Sequence, residues 1–453
     1  MIMYEKITSD FIDFAMKNPT CFHVVNAIAK DLSEAGYEEL KETAIWDITP
    51  GGKYFTTRNN SSLIAFKIPK KDVLGINIAA AHTDSPALKI KGLNAEMPVE
   101  GSYLKLNVEC YGGLLMSTWF DRPLSIAGRV MVKEKDKIVE KLLKIDRDLL
   151  MLPSVAIHMN RDANKGIAYN PQQDLLPLFA MTGLESKASG KAPKKSNSSL
   201  LAEVIAKELK VDQKNIVSCD LFVYDRTPGS IWGANNEFFS VQHIDDLECA
   251  YTGLRGFKDA AFTAGQTSMP MLALFDNEEV GSGTKQGADS TFLFDVIGRI
   301  GEALGYGKQK IDSIIAGSLM VSADNAHAVH PNHPEYHDPV NRPLMNKGIV
   351  IKHAANQHYT TDSVSAALFK EICSIAKVPY QEFYNRSDKP GGGTLGNISN
   401  AHVSLNSVDI GLPQLAMHSC YETAGTYDAA YLARAMKVLF SKSLITGNGY
   451  TFK

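Results

Sequence analysis

The 453-residue chain reads as an α/β protein whose mixed central sheet is interrupted by an inserted, mainly β segment. Three observations predict this. Nearly uniform apolar runs, such as LGINIAAA (74–81) and MPMLALF (269–275), have the composition of strands buried on both faces. Stretches of helical spacing lie between such runs, the alternation that builds a sheet covered by helices. From about residue 95 to residue 235 that alternation stops, and short segments punctuated by Gly and Pro take over. The expected division is 1–94 and 236–453 for the α/β part and 95–235 for the insert.

In chain order, residues 9–35 carry Phe11, Phe14, Ala15, Val24, Val25, Ile28 and Leu32 at helical spacing, and Gly36 supplies a stop. Strands are expected over 54–57, 62–68 and 74–81. In the insert, 104–109 and 125–132 alternate like half-buried strands. The run ESKASGKAPKKSNSS (185–199) is polar and lysine-rich, the composition of an exposed linker and not of a binding patch. Beyond residue 235, central strands are expected over 269–275, 314–321, 349–353 and 414–417.

Length and composition narrow the function. A chain this long exceeds one ordinary compact domain. Its 47 basic and 50 acidic residues leave a formal net charge of −3, which offers no attraction to nucleic acid or a membrane surface. No apolar run reaches the ~20 residues that span a bilayer. The start, MIMYEKITSDFIDFAMKNPT, lacks the basic and apolar regions of a secretory signal. Six scattered cysteines without a CxxC pair indicate reduced thiols, so a cytoplasmic location is expected.

Chemistry concentrates where apolar runs end. His82 and Asp84 follow NIAAA, Glu278 and Glu279 follow MLALFDN, Asp324 follows SLMVSA, and His418 follows QLAM. Asp245 and Asp246 open a helix in HIDDLECAYTGL. Ligand sites in α/β sheets lie outside the carboxyl ends of strands, so these distant motifs converge there. Imidazole and carboxylate are the donors zinc accepts, and two close zinc ions need a shared carboxylate. A workable set gives His82 to one metal and His418 to the other, with Asp245 bridging and Glu279 and Asp324 completing the sites. Asp84, on the same side of the extended chain as His82, orients that imidazole. Glu278 points away from Glu279 and serves as general base toward the attacking water. The cluster His330, His333 and His337 is a rival metal site, in a Pro-rich loop. The glycines of DKPGGGTLGN (388–397) lack phosphate-loop spacing; a backbone such as that of Gly392, offering N–H and C=O groups to a peptide, fits better.

The segments AHTDSP (81–86), HIDDL (243–247), DNEEVGS (276–282), SADNAHAVHPN (322–332) and AMHS (416–419) resemble, in this order, the signatures of the M18 aspartyl aminopeptidases. WFDRPLSIAGRV (119–130) and NQHYTTD (356–362) are similar as well, and the likeness spans nearly the whole chain. The resemblance implies a di-metal exopeptidase-like catalytic domain, a dimerisation role for the insert, and assembly into a tetrahedral homododecamer. It implies release of an N-terminal residue, often Asp or Glu, from peptides with a free N-terminus. It also implies His82, Asp245, Glu279, Asp324 and His418 as ligands, Asp245 bridging, and Glu278 as base. His158, in AIHMNRD, matches a histidine that reaches a neighbouring subunit's reaction centre and stabilises the reacting carbonyl oxygen. Lys352, in VIKHAANQHY, matches the position that reads an acidic first side chain. Two Zn²⁺ per subunit suit the donors, with Co²⁺ or Mn²⁺ as alternatives. Competing expectations are a broader aminopeptidase, a co-catalytic carboxypeptidase or deacylase, and a catalytically silent assembly or cargo protein. Glu278 beside five ligands argues against the last.

Overall fold

A computed structural model of the chain describes residues 3–99, 102–181 and 199–453. It divides into two compact units. The larger contains residues up to Ser85 together with Gly229–Met417 and Glu422–Lys453; the smaller contains Pro86–Pro228 and His418–Tyr421.

The larger unit is built on a nine-stranded mixed sheet. Its strands in chain order are β1 (Glu38–Glu39), β2 (Lys53–Arg58), β3 (Ser62–Lys67), β4 (Gly75–His82), β5 (Ser268–Phe275), β6 (Leu319–Ala323), β7 (Ile349–His353), β8 (Tyr380–Tyr384) and β9 (Asn406–Gly411). Their order across the sheet is β1-β2-β3-β5-β4-β6-β9-β7-β8. The central strands β5, β4, β6 and β9 run parallel to one another. Side chains alternate between two cores: Ala79, Ala81, Leu272, Leu274 and Val321 enter one, and Ile78, Ala80, Met271, Ala273 and Met320 the other. Burial on both faces is why these strands carry unbroken apolar runs. Helices Ile244–Asp259 and Asp428–Ser441 supply Leu254 and Met436 to the first core, and Phe292–Ala303 supplies Phe292 and Val296 to the second.

Three expectations are corrected. Residues 9–35 form two helices, Met3–Lys17 and Cys21–Glu34, because Pro19 lacks an N–H and disfavours helix at Asn18. Residues 314–321 are not one strand: helix Lys308–Ala316 ends at Gly317, and β6 begins at Leu319. A Cβ on Gly317 would lie 2.6 Å from the Leu74 carbonyl oxygen, so this turn requires glycine. Residues 414–417 are not central. Strand Pro413–Leu415 joins a separate five-stranded sheet with Ser230–Trp232, Phe238–Val241, Glu422–Gly425 and Ala326–His327. The central position belongs to β9, whose NSVDIG looks too polar for an interior strand.

In the smaller unit, Lys137–Lys144, Leu124–Glu134, Ile216–Asp225, Ala87–Ile90 and Val108–Tyr111 form an antiparallel sheet in that order. A three-stranded sheet and helix Leu200–Leu209, capped by the Ser199 hydroxyl, complete the unit. Of the expected linker 185–199, only Ser199 lies among the described residues. No helix among the described residues is long and apolar enough to cross a membrane.

Packing and site meet at Gly411. A Cβ there would lie 2.1 Å from the Asp324 carbonyl oxygen and 2.9 Å from the Ala326 nitrogen. Gly411→Ala is expected to lower unfolding stability by about 1–3 kcal/mol, the usual range for overpacking. Urea denaturation measures this, and an unchanged midpoint would show that β9 yields.

Candidate metal centre

Three parallel strands deliver acidic and imidazole groups to one edge of the sheet. His82 ends β4, Glu278 and Glu279 follow β5, and Asp324 follows β6. Asp245 and Asp246 come from the first turn of helix Ile244–Asp259, where both have non-helical dihedrals and the peptide between them is cis. Ligand atoms of His82, Asp245 and Glu279 lie within 4.8 Å of one another, and so do those of Asp245, Asp246 and Asp324. Asp245 is common to both groups.

Each side chain is held from behind. His82 Nδ1 is 3.0 Å from the Asp84 carbonyl oxygen and 3.4 Å from its Oδ1, so the ring N–H donates toward Asp84. Nε2 faces Asp245 Oδ1 at 3.4 Å, and it is the nitrogen that must give up its proton for a metal to bind. The Asp84 carboxylate accepts the backbone N–H groups of Glu278 at 3.1 Å and Glu279 at 3.2 Å. It therefore braces both glutamates as well as the histidine. Asp246 Oδ2 accepts the His82 backbone N–H at 3.1 Å.

The electrostatics call for positive charge. Burial, then crowding by Asp324 and Asp245, drives the Asp246 carboxyl well above its ordinary range despite His82 nearby. Burial likewise raises Asp324, and pushes Glu278 up to about 8 with help from Asp324, Asp84 and Asp245. Against burial, the Asp245 and Asp84 carboxylates hold His82 well above its usual value. Asp246 Oδ1 is sealed from solvent, and no N–H or O–H group reaches it among the described residues. A buried carboxylate oxygen in that position is costly unless a cation meets it. Imidazole and carboxylate donors converging on such a deficit fit Zn²⁺.

The other predicted residues are distributed as follows. His418 lies in the smaller unit with a left-handed backbone (φ 67°), and its Nδ1 is 2.8 Å from the Gly113 carbonyl oxygen. Neither ligand group includes it. Lys352 is buried on β7, with Nζ 3.5 Å from Asp324 Oδ1 and 5.5 Å from the Tyr359 ring centre. Gly392 is exposed, with open space where a Cβ would stand. His158 is exposed in a turn of the smaller unit. The rival histidines do not form a metal-holding group among the described residues. His330 and His333 instead pack ring to ring at 5.3 Å, and His333 pairs with Glu335 at 3.0 Å.

Comparison with known proteins fits this geometry. Residues 14–440 match the family model described as aminopeptidase I zinc metalloprotease (M18). The chain belongs to the M18 aminopeptidase family. A "Probable M18 family aminopeptidase 2" of Clostridium acetobutylicum is 45% identical over 434 residues, covering 95% of this chain and 97% of that one. In the cryo-EM structure of the Ape4 and Nbr1 complex, a chain 36% identical matches with a TM-score of 0.90, covering 97% of this chain and 87% of its own. The S. cerevisiae mApe1 dodecamer matches with a TM-score of 0.82 at 27% identity, covering 96% of each chain. The protein is thus an aminopeptidase of the zinc metalloprotease class on a mixed α/β fold.

Around the M18 centre lies a buried polar network that the motifs did not reveal. Glu422 Oε2 accepts the Asp245 backbone N–H at 3.0 Å, and its Oε1 accepts Gln414 Nε2 at 3.3 Å. Asn325 Nδ2 donates to Gln414 Oε1 at 3.0 Å and to Glu248 Oε2 at 3.1 Å. Burial pushes the Glu248 carboxyl up to about 8. The doubled aspartate of HIDDL and the Glu four residues past His418 were the available signals for Asp246 and Glu422.

A carboxyl whose pKa is higher folded than unfolded binds more protons when folded across the window between the two values. Its effect on stability therefore declines as pH rises. For Glu278 that window runs from its ordinary range up to about 8, and Asp246 and Asp324 act in the same direction. Metal binding instead strengthens as these groups ionise. Chelation is expected to lower the melting temperature more at pH 8 than at pH 6. Thermal scans with and without chelator measure the gap, and an equal loss at both pH values would refute the charge-deficit description.

Proposed function

We propose that this aminopeptidase is a di-metal enzyme that removes one N-terminal residue, preferentially Asp or Glu, from peptides. The observation that carries the reading is the pair of overlapping ligand groups with Asp245 in common. His82, Asp245, Glu279, Asp324 and His418 would hold the ions, Asp245 bridging; Zn²⁺ suits these donors, and Co²⁺ or Mn²⁺ would also bind. When bound, the ions polarise the scissile carbonyl and acidify the attacking water.

The chain's own groups do the rest. Glu278 takes the proton from that water and returns it to the leaving amine, a task suited to a carboxyl raised toward neutrality. Asp84 fixes the His82 tautomer and holds Glu278 and Glu279 in register through their N–H groups. Lys352 meets the acidic side chain of the substrate's first residue through charge pairing, while its neighbour Asp324 keeps it protonated. The exposed backbone at Gly392 lies along the peptide. His158 serves a neighbouring subunit, donating to the reacting carbonyl oxygen. Its loop exposes Val155, Ile157 and Met159, apolar surface suited to a second subunit. The inserted unit is the dimerisation element, and the dodecameric mApe1 relative supports assembly into a tetrahedral dodecamer. The six free cysteines suit a cytoplasmic address.

Glu278→Ala is expected to lower turnover by about 10²–10⁴-fold, the usual worth of a general base, with metal content unchanged by elemental analysis. Full activity in that variant would remove Glu278 from the role. A panel of aminoacyl substrates with defined metals should rank Asp and Glu above Leu and Ala, with N-acylated substrates inert. Preference for Leu or Ala would exclude Lys352 as the specificity residue.

A further inference from the structure

The two loops beside Lys352 share one anchor. Asp409 is completely buried on β9, one residue before Ile410, whose carbonyl accepts the Asp324 N–H at 3.0 Å. Asp409 Oδ2 accepts the backbone N–H of Thr360 at 2.5 Å and its hydroxyl at 2.8 Å. Asp409 Oδ1 accepts the Thr394 hydroxyl at 2.6 Å, and the Asp409 N–H donates to Thr361 Oγ1 at 2.9 Å. Thr360 and Thr361 close the loop that follows β7; Thr394 closes the glycine run 391–393. A Cβ on Gly396 would lie 2.5 Å from Asp409 Oδ1, so the chain passes over this carboxylate only as glycine.

The same two loops meet again at the site. Asn385 lies against Gly391, where a Cβ would approach its Nδ2 to 2.3 Å, and its side chain is near enough to Tyr359 to act on that hydroxyl electrostatically. The Tyr359 ring is 5.5 Å from Lys352 Nζ, which in turn is 3.5 Å from Asp324. A continuous wall therefore runs from the glycine run to the metal-holding carboxylates. Charge-assisted hydrogen bonds are the strong ones, and all the side-chain donors to Asp409 come from loops and not from regular structure.

We propose that Asp409 is a positioning residue that clasps both loops and sets the gap between the Gly392 backbone and Lys352, where the peptide's first side chain is read. This rests on the substrate-binding roles given to those two residues above. A buried hub that accepts several hydrogen bonds specifies geometry that an apolar contact would leave loose. The clasp acts on binding of the first residue and leaves the metal-holding groups in place.

Thr394→Val tests it, because the change keeps the shape and removes one donor. For an N-terminal Asp substrate, KM is expected to rise about tenfold, the worth of one lost hydrogen bond to a charged group, with kcat within about twofold. Metal content should not change, and amide hydrogen exchange across 388–396 should quicken. Thr394→Ser, which restores the hydroxyl, should return both KM and exchange to wild-type values. Unchanged KM and exchange in Thr394→Val would overturn the proposal, as would a parallel loss of kcat and metal, which marks a merely structural role. If the wild-type protein cleaves no aminoacyl substrate, the functional reading fails, and the exchange measurement alone still decides whether Asp409 clasps the glycine run.

Discussion

Everything in the larger unit is arranged around a concentration of buried negative charge. Asp245, Asp246 and Asp324 share one small volume, with Asp84 and Glu278 beside them. Among the described residues, His82 and Lys352 are cationic groups beside them. Asp276, also buried and near Asp84, is pushed up to about 7, chiefly by burial. Carboxylates are rarely crowded in this way unless a cation answers them. The fold therefore supplies hydrogen-bond donors to some of these oxygens and leaves others where a cation would be accommodated.

The supply comes from backbone geometry. Asp84 takes two N–H groups from the turn after β5, Asp246 takes one from the end of β4, and Glu422 faces the Asp245 N–H. Each arrangement needs the strand ends to stay fixed. Parallel pairing of β5, β4 and β6, buried on both faces, provides that rigidity. Small residues bring the elements close: Gly411 lies against the Asp324 carbonyl and Gly317 against the Leu74 carbonyl.

How much of this was legible in the sequence depended on where polarity changes. A polar residue at the end of a long apolar run stands out, so the placing of His82, Asp84, Glu278, Glu279 and Asp324 at strand ends was legible from pattern. The central strands β4, β5 and β7 were legible for the same reason. Polar residues inside a strand carry no such contrast: Asp409 interrupts the apolar pattern of β9, which was not among the expected strands, and Gln414 sat in a segment assigned to the wrong sheet. The run 314–321 failed differently, since an apolar helix end and an apolar strand start differ only by a glycine between them. Asn325 and Glu248 were invisible because their partners are 77 positions apart in sequence. Only the folded chain brings such pairs together.

Those separations also bear on how the centre forms. The bonds that orient it join residues 164, 177, 194 and 195 positions apart. No local segment can assemble a ligand group, because each group draws on at least two distant parts of the chain. An ion that binds these groups therefore binds the folded state and not the unfolded one, and its binding free energy adds to folding stability. Repulsion among the carboxylates opposes closing the site, and a bound cation would reverse that sign. Stability and metal loading are thus two readings of one equilibrium, and the polar network through Glu422, Gln414, Asn325 and Glu248 holds the Asp245 end of the centre in place while charge is exchanged.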